Sequence, residues 1–438
     1  MTQNQIKIGI AGLGTVGSGV INLINKNRNE IKERTGCELI IQCISASNKN
    51  KKRSCDIKNI NFYSDPIDML NKESIDIFIE LIGGENIAKD LVVKALEKKV
   101  HVVTANKALI ALHGSEVSKL SLKNEREILY EASVAGAVPI VKVIRESLSA
   151  NDIEWIAGII NGTTNYILTE MLISEKSFDA VLQEAKDLGY AESDPSFDIG
   201  GIDAAHKLTI LASICFGIPL SFHSIYVEGI EEIELEDLKN ARELGYMVKH
   251  LAIARKKDSG IELRVHPCLV PKTRLLANVN GVKNAVVINS DAAGSTLYYG
   301  AGAGSLATAS AVVSDIIDIS RSLVQKINYT IPFLGYKNII SKKNISKISD
   351  IETRYYLRIK VTNKPGVLAD ITKIFGKKSI SIESILQKED AEKDVNVPIV
   401  LVTHKVVEKN IDEALNEIEK LEVVKDKITR VRIEELNS

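Results

Sequence analysis

Between residues 189 and 207 the chain reads GYAESDPSFDIGGIDAAHK, with four carboxylates, Glu192, Asp194, Asp198 and Asp203, ahead of one lysine, Lys207. A calcium loop of the EF-hand kind needs acids at alternating positions, a central glycine and a terminal glutamate, and this spacing does not supply them. Asp194 stands beside Pro195 and reads as a solvated turn residue. Asp203 and Lys207 differ, because they lie four apart at the start of a helical pattern that runs to Phe216 and stops at Gly217. They share one face, in the favourable acid-before-base order. The pair is either a surface ion pair contributing roughly 0.3–0.5 kcal/mol or a lysine held charged and aimed by an aspartate.

Three other stretches offer chemistry. VVTANKALIALHG ends a strand at Ala105–Asn106 and puts Lys107 at the carboxyl edge of a sheet, where open α/β folds bind ligands. IINGTTNYIL puts Asn161, Gly162, Thr163 and Thr164 at a strand-to-helix junction rich in capping groups. Either could be an ordinary capped turn. GIAGLGTVGSGV sets Gly12, Gly14 and Gly17 in the G-x-G-x-x-G order between an apolar strand and a helix. The first glycine permits the tight turn, the second admits a pyrophosphate, the third lets helix and strand pack closely, and the helix N-terminus supplies amides. A dinucleotide is expected there.

An acid that binds the ribose must end the second strand, and Glu38 opens it instead. The strand ends at SASNKNKKR, with Ser45, Ser47 and Asn48 followed by Lys49, Lys51, Lys52 and Arg53. Without a carboxylate and with four cations nearby, NADP is favoured over NAD, although a solvated basic loop would read the same way.

These groups need elements to hold them. Residues 6 to 135 alternate strand-like and helix-like segments, with one helix running to about Arg34, which predicts an α/β fold with a parallel sheet covered on both faces. After Pro139 helices lengthen and strands thin out, as in FDAVLQEAKDL, where Phe178, Val181, Leu182, Ala185 and Leu188 share a face ahead of Gly189. ISKKNISKISDIET reads as a linker, and the segments after it give βαββαβ, a ferredoxin-like module.

The 438 residues suit two or three domains, and the formal net charge of −1 leaves no field to attract nucleic acid or an anionic membrane. A small-molecule partner is expected. With strand pattern from Ile6 and no long apolar run, a cytoplasmic location is expected. Five scattered cysteines, Cys37, Cys43, Cys55, Cys215 and Cys268, fit neither a disulfide framework nor a zinc site.

GLGTVGSGV, VVTANKALIA, YEASVAGAVPI, NGTTNYIL, GYAESDPSFDIGGIDAAHKLTILA and YYGAGAGSLATASAVVSDI together resemble the signatures of homoserine dehydrogenases, in order over residues 6 to 330. KPGVLADITKIFGKKSISIESILQ and VPIVLVTH resemble an ACT domain. The resemblance implies NAD(P)H-dependent, reversible reduction of L-aspartate 4-semialdehyde to L-homoserine, in threonine, methionine and isoleucine biosynthesis. It implies a Rossmann-type doubly wound domain over 1–138, completed by a helix at about 305–330. A mixed α+β catalytic and dimerisation domain over 139–304, a linker over 340–353 and the regulatory ACT domain over 354–438 would follow.

By the same resemblance Lys207 is the proton donor and acceptor and Asp203 orients it, while Glu192 and Asp198 hold the substrate ammonium beside Gly189 and Thr163. Lys107 lies between nicotinamide and substrate. Gly12, Gly14, Thr15, Val16, Gly17, Gly83, Thr104 and Gly302 would contact the cofactor, NADP or else NAD. A monovalent cation such as sodium would sit on backbone carbonyls around Glu131, Val134, Gly136 and Val138. A homodimer or homotetramer is implied, with threonine as effector, so that a chain ending near Ile340 should keep activity and lose threonine sensitivity. Many members carry Arg where this chain has Ala46 and Ser47, which weakens the expectation of NADP. The competing reading is a non-catalytic protein that senses NADP(H) and an amino acid.

Overall fold

The computed structural model describes residues 5–327, 331–339, 343–387 and 396–437. The chain divides into two compact units: Met1–Ile153 with His206–His223 and Asn284–Lys343, and Glu154–Ala205 with Ser224–Lys283 and Asn344–Ser438.

In the first unit β1 (Gln5–Ala11), β2 (Glu38–Ser45), β3 (Asn61–Tyr63), β4 (Ile77–Glu80), β5 (His101–Thr104) and β6 (Ile128–Leu129) form a parallel sheet in the order β3-β2-β1-β4-β5-β6. All four residues of β4 and of β5 are buried, as strands covered on both faces must be. On one face Ile8, Ile10, Ile79 and Val103 share a core with Val20 and Ile21 of the helix Thr15–Lys26 and with Val312 and Ile316 of the helix Ser305–Gln325. A residue 290 positions away thus ties the two helices together: Ser305 Oγ donates to Thr15 O at 2.8 Å. The single helix expected to run to Arg34 is instead two, Thr15–Lys26 and Arg28–Thr35, broken where Asn27 leaves helical geometry.

Later strands are β7 (Ile153–Ile159), β8 (Tyr226–Val227), β9 (Tyr246–Lys257), β10 (Gly260–Pro271), β11 (Lys283–Ser290), β12 (Gly294–Ala301), β13 (Glu352–Thr362), β14 (Ile382–Gln387), β15 (Asn396–Thr403), β16 (Val406–Val407) and β17 (Thr429–Ile433). Strands β11 and β12 are neighbours in the first unit. The second unit is built on the order β7-β9-β10-β17-β13-β15-β14. Its last four strands, with the helices Val367–Lys377 and Glu408–Ile418, make the ferredoxin-like module.

Alternation along β13 sends Tyr355 into that module's own core, with Leu357, Phe375 and Ile411, and Tyr356 to the opposite face. There Tyr356, Val402, Val431 and Ile433 pack against Ile167, Leu238 and Leu269. The free edge of β17 is covered by β10, parallel, with Cys268 opposite Arg432 and Leu269 opposite Ile433. The expected linker joins in: Ile261 N donates to Asn344 O at 2.8 Å and Ser346 N donates to Ile261 O at 2.9 Å. Residues 340–342 of that linker lie outside the described residues. The module therefore shares a sheet and a core with residues 154–283 of its unit. Among the described residues no helix is long and apolar enough to cross a membrane.

Candidate functional site

The first unit carries the glycine-rich turn. Gly12 has φ +103°, and a Cβ there would lie 2.4 Å from Leu81 O, so neither the conformation nor the space admits a side chain. A Cβ on Gly17 would come within 2.0 Å of Gly12 O. At Gly14, by contrast, a Cβ would meet nothing within 4 Å, so the chain is open at the N-cap of Thr15–Lys26. The amides of Thr15, Val16 and Gly17 have no partner within the first helical turn, and no acid stands in that turn to compete with an anion. Open space and unopposed amides at one point fit the diphosphate of a dinucleotide.

A second turn at the carboxyl edge is organised by a residue that sequence reasoning passed over. Glu80 is fully buried at the end of β4, and its Oε1 accepts Ile82 N at 2.8 Å and Gly83 N at 3.0 Å. Its Oε2 accepts Thr104 Oγ1 at 2.7 Å. Thr104 Oγ1 accepts Asn106 N at 3.0 Å, Asn106 Nδ2 donates to Gly84 O at 2.7 Å, and Asn106 Oδ1 caps Leu109 N at 3.0 Å. Lys107 is consequently fixed as the first residue of the helix Lys107–Asn124. Thr104 is fully buried with its hydroxyl engaged, so any effect it has on a cofactor passes through the loop that it holds. A charged residue ending an apolar run, IFIE, was the available signal.

The 131–138 segment turns sharply through Ala135 (φ +52°) and Gly136 (φ +55°), where a Cβ on Gly136 would lie 2.4 Å from Gly302 O. Ala137 N donates to Ala301 O at 3.0 Å, which ties this turn to the one that bears Gly302. The Glu131 carboxylate accepts Val141 N at 2.9 Å and Lys142 N at 2.7 Å, and Glu131 N donates to Asp315 Oδ2 at 2.9 Å. Burial, then the neighbouring Asp315 carboxylate, push the Glu131 carboxyl up to about 7. Glu131 O already accepts Val134 N at 3.4 Å and Val138 O accepts Ile140 N at 2.8 Å, and each carbonyl keeps a second lone pair. Among the described residues no group of three or more His, Cys, Asp or Glu is placed to hold a metal ion.

The second unit gathers the carboxylates. The helix Phe178–Asp187 ends at Gly189 (φ +73°), where Gly189 N donates to Lys186 O and Tyr190 N to Ala185 O. Thr163 Oγ1 lies 2.7 Å from Tyr190 O and 3.4 Å from Asp198 Oδ2. Asn161 Nδ2 donates to Asp198 Oδ1 and to Asp203 Oδ2, each at 2.8 Å. Asp203 is 2% exposed, Asp198 is half-buried and Glu192 is exposed. Asp194 accepts Ser196 N at 3.1 Å, and the Ser196 hydroxyl, then this amide, lower its pKa.

Thr163, Asp198 and Asp203 thus meet around Asn161, and Glu192 stands apart on the loop after Gly189. The observed helix Ile202–Phe216 places half-buried Lys207 one turn after Asp203 and ends at Gly217 (φ +63°).

Family models match this chain in three successive pieces. These are "Homoserine dehydrogenase, NAD binding domain" over residues 12–131, "Homoserine dehydrogenase" over 139–317 and "ACT domain" over 355–423. The homoserine dehydrogenase of Pseudomonas aeruginosa is 50% identical over 433 residues, 99% of either chain, and that of Bacillus subtilis 38% over 429 residues, 98% of either. Among solved structures, a homoserine dehydrogenase from Thiobacillus denitrificans superposes with a TM-score of 0.93 at 46% identity, covering 99% of both chains. A hyperthermophilic archaeal homoserine dehydrogenase in complex with NADPH gives 0.62 at 27% identity, covering 77% of this chain and 100% of its own. Such likeness runs from end to end and keeps the three pieces in order: the chain belongs to the homoserine dehydrogenase family.

Proposed function

We propose that the chain catalyses the reversible, NAD(P)H-dependent reduction of L-aspartate 4-semialdehyde to L-homoserine, with Lys207 as the proton donor. The observation that carries this reading is the helix Ile202–Phe216, which bears buried Asp203 and, one turn on, Lys207, with Asp203 joined through Asn161 to Asp198. The nicotinamide supplies hydride when bound, so the chain has to provide position, charge and a proton. Lys207 Nζ gives its proton to the carbonyl oxygen as that atom gains negative charge, and takes it back in the oxidation. Asp203 keeps the lysine charged and aimed. Asp198 and Glu192 hold the substrate ammonium, Thr163 and Gly189 shape the same pocket, and Lys107 stands between cofactor and substrate. Oxidation of NADPH and of NADH should each be followed with aspartate semialdehyde. Cofactor binding without turnover would favour a sensor instead.

NADP is the proposed cofactor, held at Gly12, Gly14, Thr15, Val16 and Gly17, with Gly83, Thr104 and Gly302 shaping the remainder of its site. β2 ends at buried Ser45 without a carboxylate, and exposed Lys49, Lys51 and Lys52 follow. A sodium-like cation on the carbonyls of residues 131–138 and a homo-oligomeric, cytoplasmic protein complete the proposal. Exchange of sodium for choline should lower activity if the cation is integral.

Threonine is proposed as effector. Gly366 (φ +94°) caps the helix Val367–Lys377 without a side-chain bond, which leaves amides for an amino-acid carboxylate. Inhibition would require coupling of about 1–3 kcal/mol between the two sites, which homoserine oxidation titrated with threonine would reveal.

A further inference from the structure

Asn161 is 5% exposed, and every polar group of its amide is used. Its Oδ1 accepts Thr164 N at 2.9 Å, which makes it the N-cap of the helix Gly162–Ile173. That contact settles which end of the amide faces the helix, because the backbone N–H needs an acceptor. The NH2 end must therefore face the carboxylates, and it donates to Asp198 Oδ1 and Asp203 Oδ2. Two oxygens that share one nitrogen at hydrogen-bond distance are less than about 6 Å apart, where like charges disfavour each other's ionisation. A neutral group with two donors is what such a pair needs, and no other uncharged side chain of this size supplies both donors and a cap.

We infer that Asn161 is a positioning residue for the proposed reaction: its amide, aimed by Thr164, holds Asp198 and Asp203 apart and fixes the direction in which each faces. The inference rests on the roles given above, Asp198 toward the substrate ammonium and Asp203 toward Lys207. Without the bridge both carboxylates would turn toward the nearest cation, and the division between substrate binding and lysine orientation would be lost. The charged and titratable groups at this point are Asp198, Asp203, Lys207 one turn along the helix, and His250. Burial holds His250 toward its neutral form, against the opposing pull of Glu228, whose backbone oxygen lies 3.0 Å from His250 Nε2 and whose carboxylate also acts, and then of Asp203.

Two substitutions separate positioning from capping, since Ser and Asp are both good N-caps. Asn161→Ser keeps the cap and removes the donors. Asn161→Asp keeps shape and cap but sets a third carboxylate against two others. Both variants should melt near the wild-type temperature and bind NADPH as wild type does, with kcat/KM for homoserine reduced at least tenfold. In Asn161→Asp the acid limb of the pH profile should move to higher pH, because one of three clustered carboxyls retains its proton, and activity should partly return as pH rises. In Asn161→Ser the limb should move the same way by a smaller amount, because the two carboxylates lose the donors that favour their charged forms. Wild-type kcat/KM and an unmoved limb in folded Asn161→Ser would overturn the inference, whatever the fate of Asn161→Asp. A wild-type chain that cannot oxidise homoserine would overturn the underlying reading instead, and that control is run first.

Discussion

Arg264 and Glu434 form an ion pair in which neither side chain is more than 3% exposed, although 170 residues separate them. Arg264 comes from β10 and Glu434 from the residue after β17, the two strands that join the ferredoxin-like module to the rest of its unit. Glu434 also pairs with Arg255 at 3.3 Å, and Arg264 with Glu262 at 3.2 Å. Burial pushes the Glu434 carboxyl up, but the two guanidiniums outweigh it and hold its pKa below the ordinary value. Arg432, fully buried, pairs in the same way with Glu408 and with Glu228, and Arg358 makes two bonds to Asp237 at 2.7 and 3.0 Å.

Removing one partner of such a pair should destabilise the chain by roughly 3–5 kcal/mol, the cost of an uncompensated buried charge. Glu434→Gln is expected to show this in chemical denaturation, and Arg264→Met combined with Glu434→Leu to recover only part of it, because buried Glu262 then loses its own partner. A chain ending near Ile340 would lose Glu434, Arg432 and Arg358 together and uncover β10. We therefore expect it to be unstable or insoluble, contrary to the expectation that it would retain reduction. A monomeric truncated protein with full activity would show that the shared core is dispensable.

The parallel sheet was legible in the sequence because buried strands are written as apolar runs, IKIGIA and IFIE, between amphipathic helices. The helix Ile202–Phe216 was legible down to its last residue, since Gly217 marks the stop. The pairing of β10 with β17 was not, because a strand's partner is chosen by contacts that lie far apart in the chain. The roles of Glu80 and Asn161 were equally hidden: which amides a buried carboxylate accepts depends on a loop geometry that spacing does not encode. Leu188, expected on the apolar face of its helix, is 59% exposed because Phe178–Asp187 ends just before it.

Lys207→Ala should lower turnover by roughly 10²–10⁴ with NADPH affinity unchanged, the range for loss of a general acid. Glu192→Ala should act mainly on KM for homoserine, because the role proposed for this exposed loop carboxylate is to meet the ammonium and not the reacting carbon. Steady-state kinetics with direct cofactor titration checks both. Near-wild-type turnover in Lys207→Ala would remove the lysine from its assigned role.

The basic segment after β2 divides into two kinds of cation. Arg53 donates to the carbonyls of Asn48, Lys49 and Lys51, so it closes its own loop, whereas Lys51 and Lys52 are exposed. Lys51→Ala with Lys52→Ala should reduce the preference for NADPH over NADH while leaving NADH kinetics alone. Arg53→Ala should loosen the loop and change both cofactors. An unchanged ratio in the double variant would mean that the 2′-phosphate, if recognised, is met by other groups such as Ser45 or Ser47.

Lys249 gives a pH test that does not depend on catalysis. Its side chain is 1% exposed, and Nζ donates to Val279 O at 2.6 Å, Asn280 Oδ1 at 3.0 Å and Asn165 Oδ1 at 3.4 Å. Asn165 Nδ2 in turn donates to the carbonyls of Val279, Gly281 and Lys283, so the lysine and the amide together hold the 279–283 loop against the helix Gly162–Ile173. No carboxylate balances the ammonium among these contacts, and burial lowers its pKa from 10.5 to about 8. Between those values the unfolded chain binds more protons than the folded one, so the contribution of this group to stability rises with pH. Below about 8 both states carry the charge and the burial penalty is present in full. Lys249→Met does not titrate, and the difference in unfolding free energy between wild type and this variant cancels the other groups. That difference should shift in favour of wild type from pH 8 to pH 10.5, by an amount on the order of 3 kcal/mol. A difference that stays flat across the window would mean that the three oxygens support the charged form as well as water does.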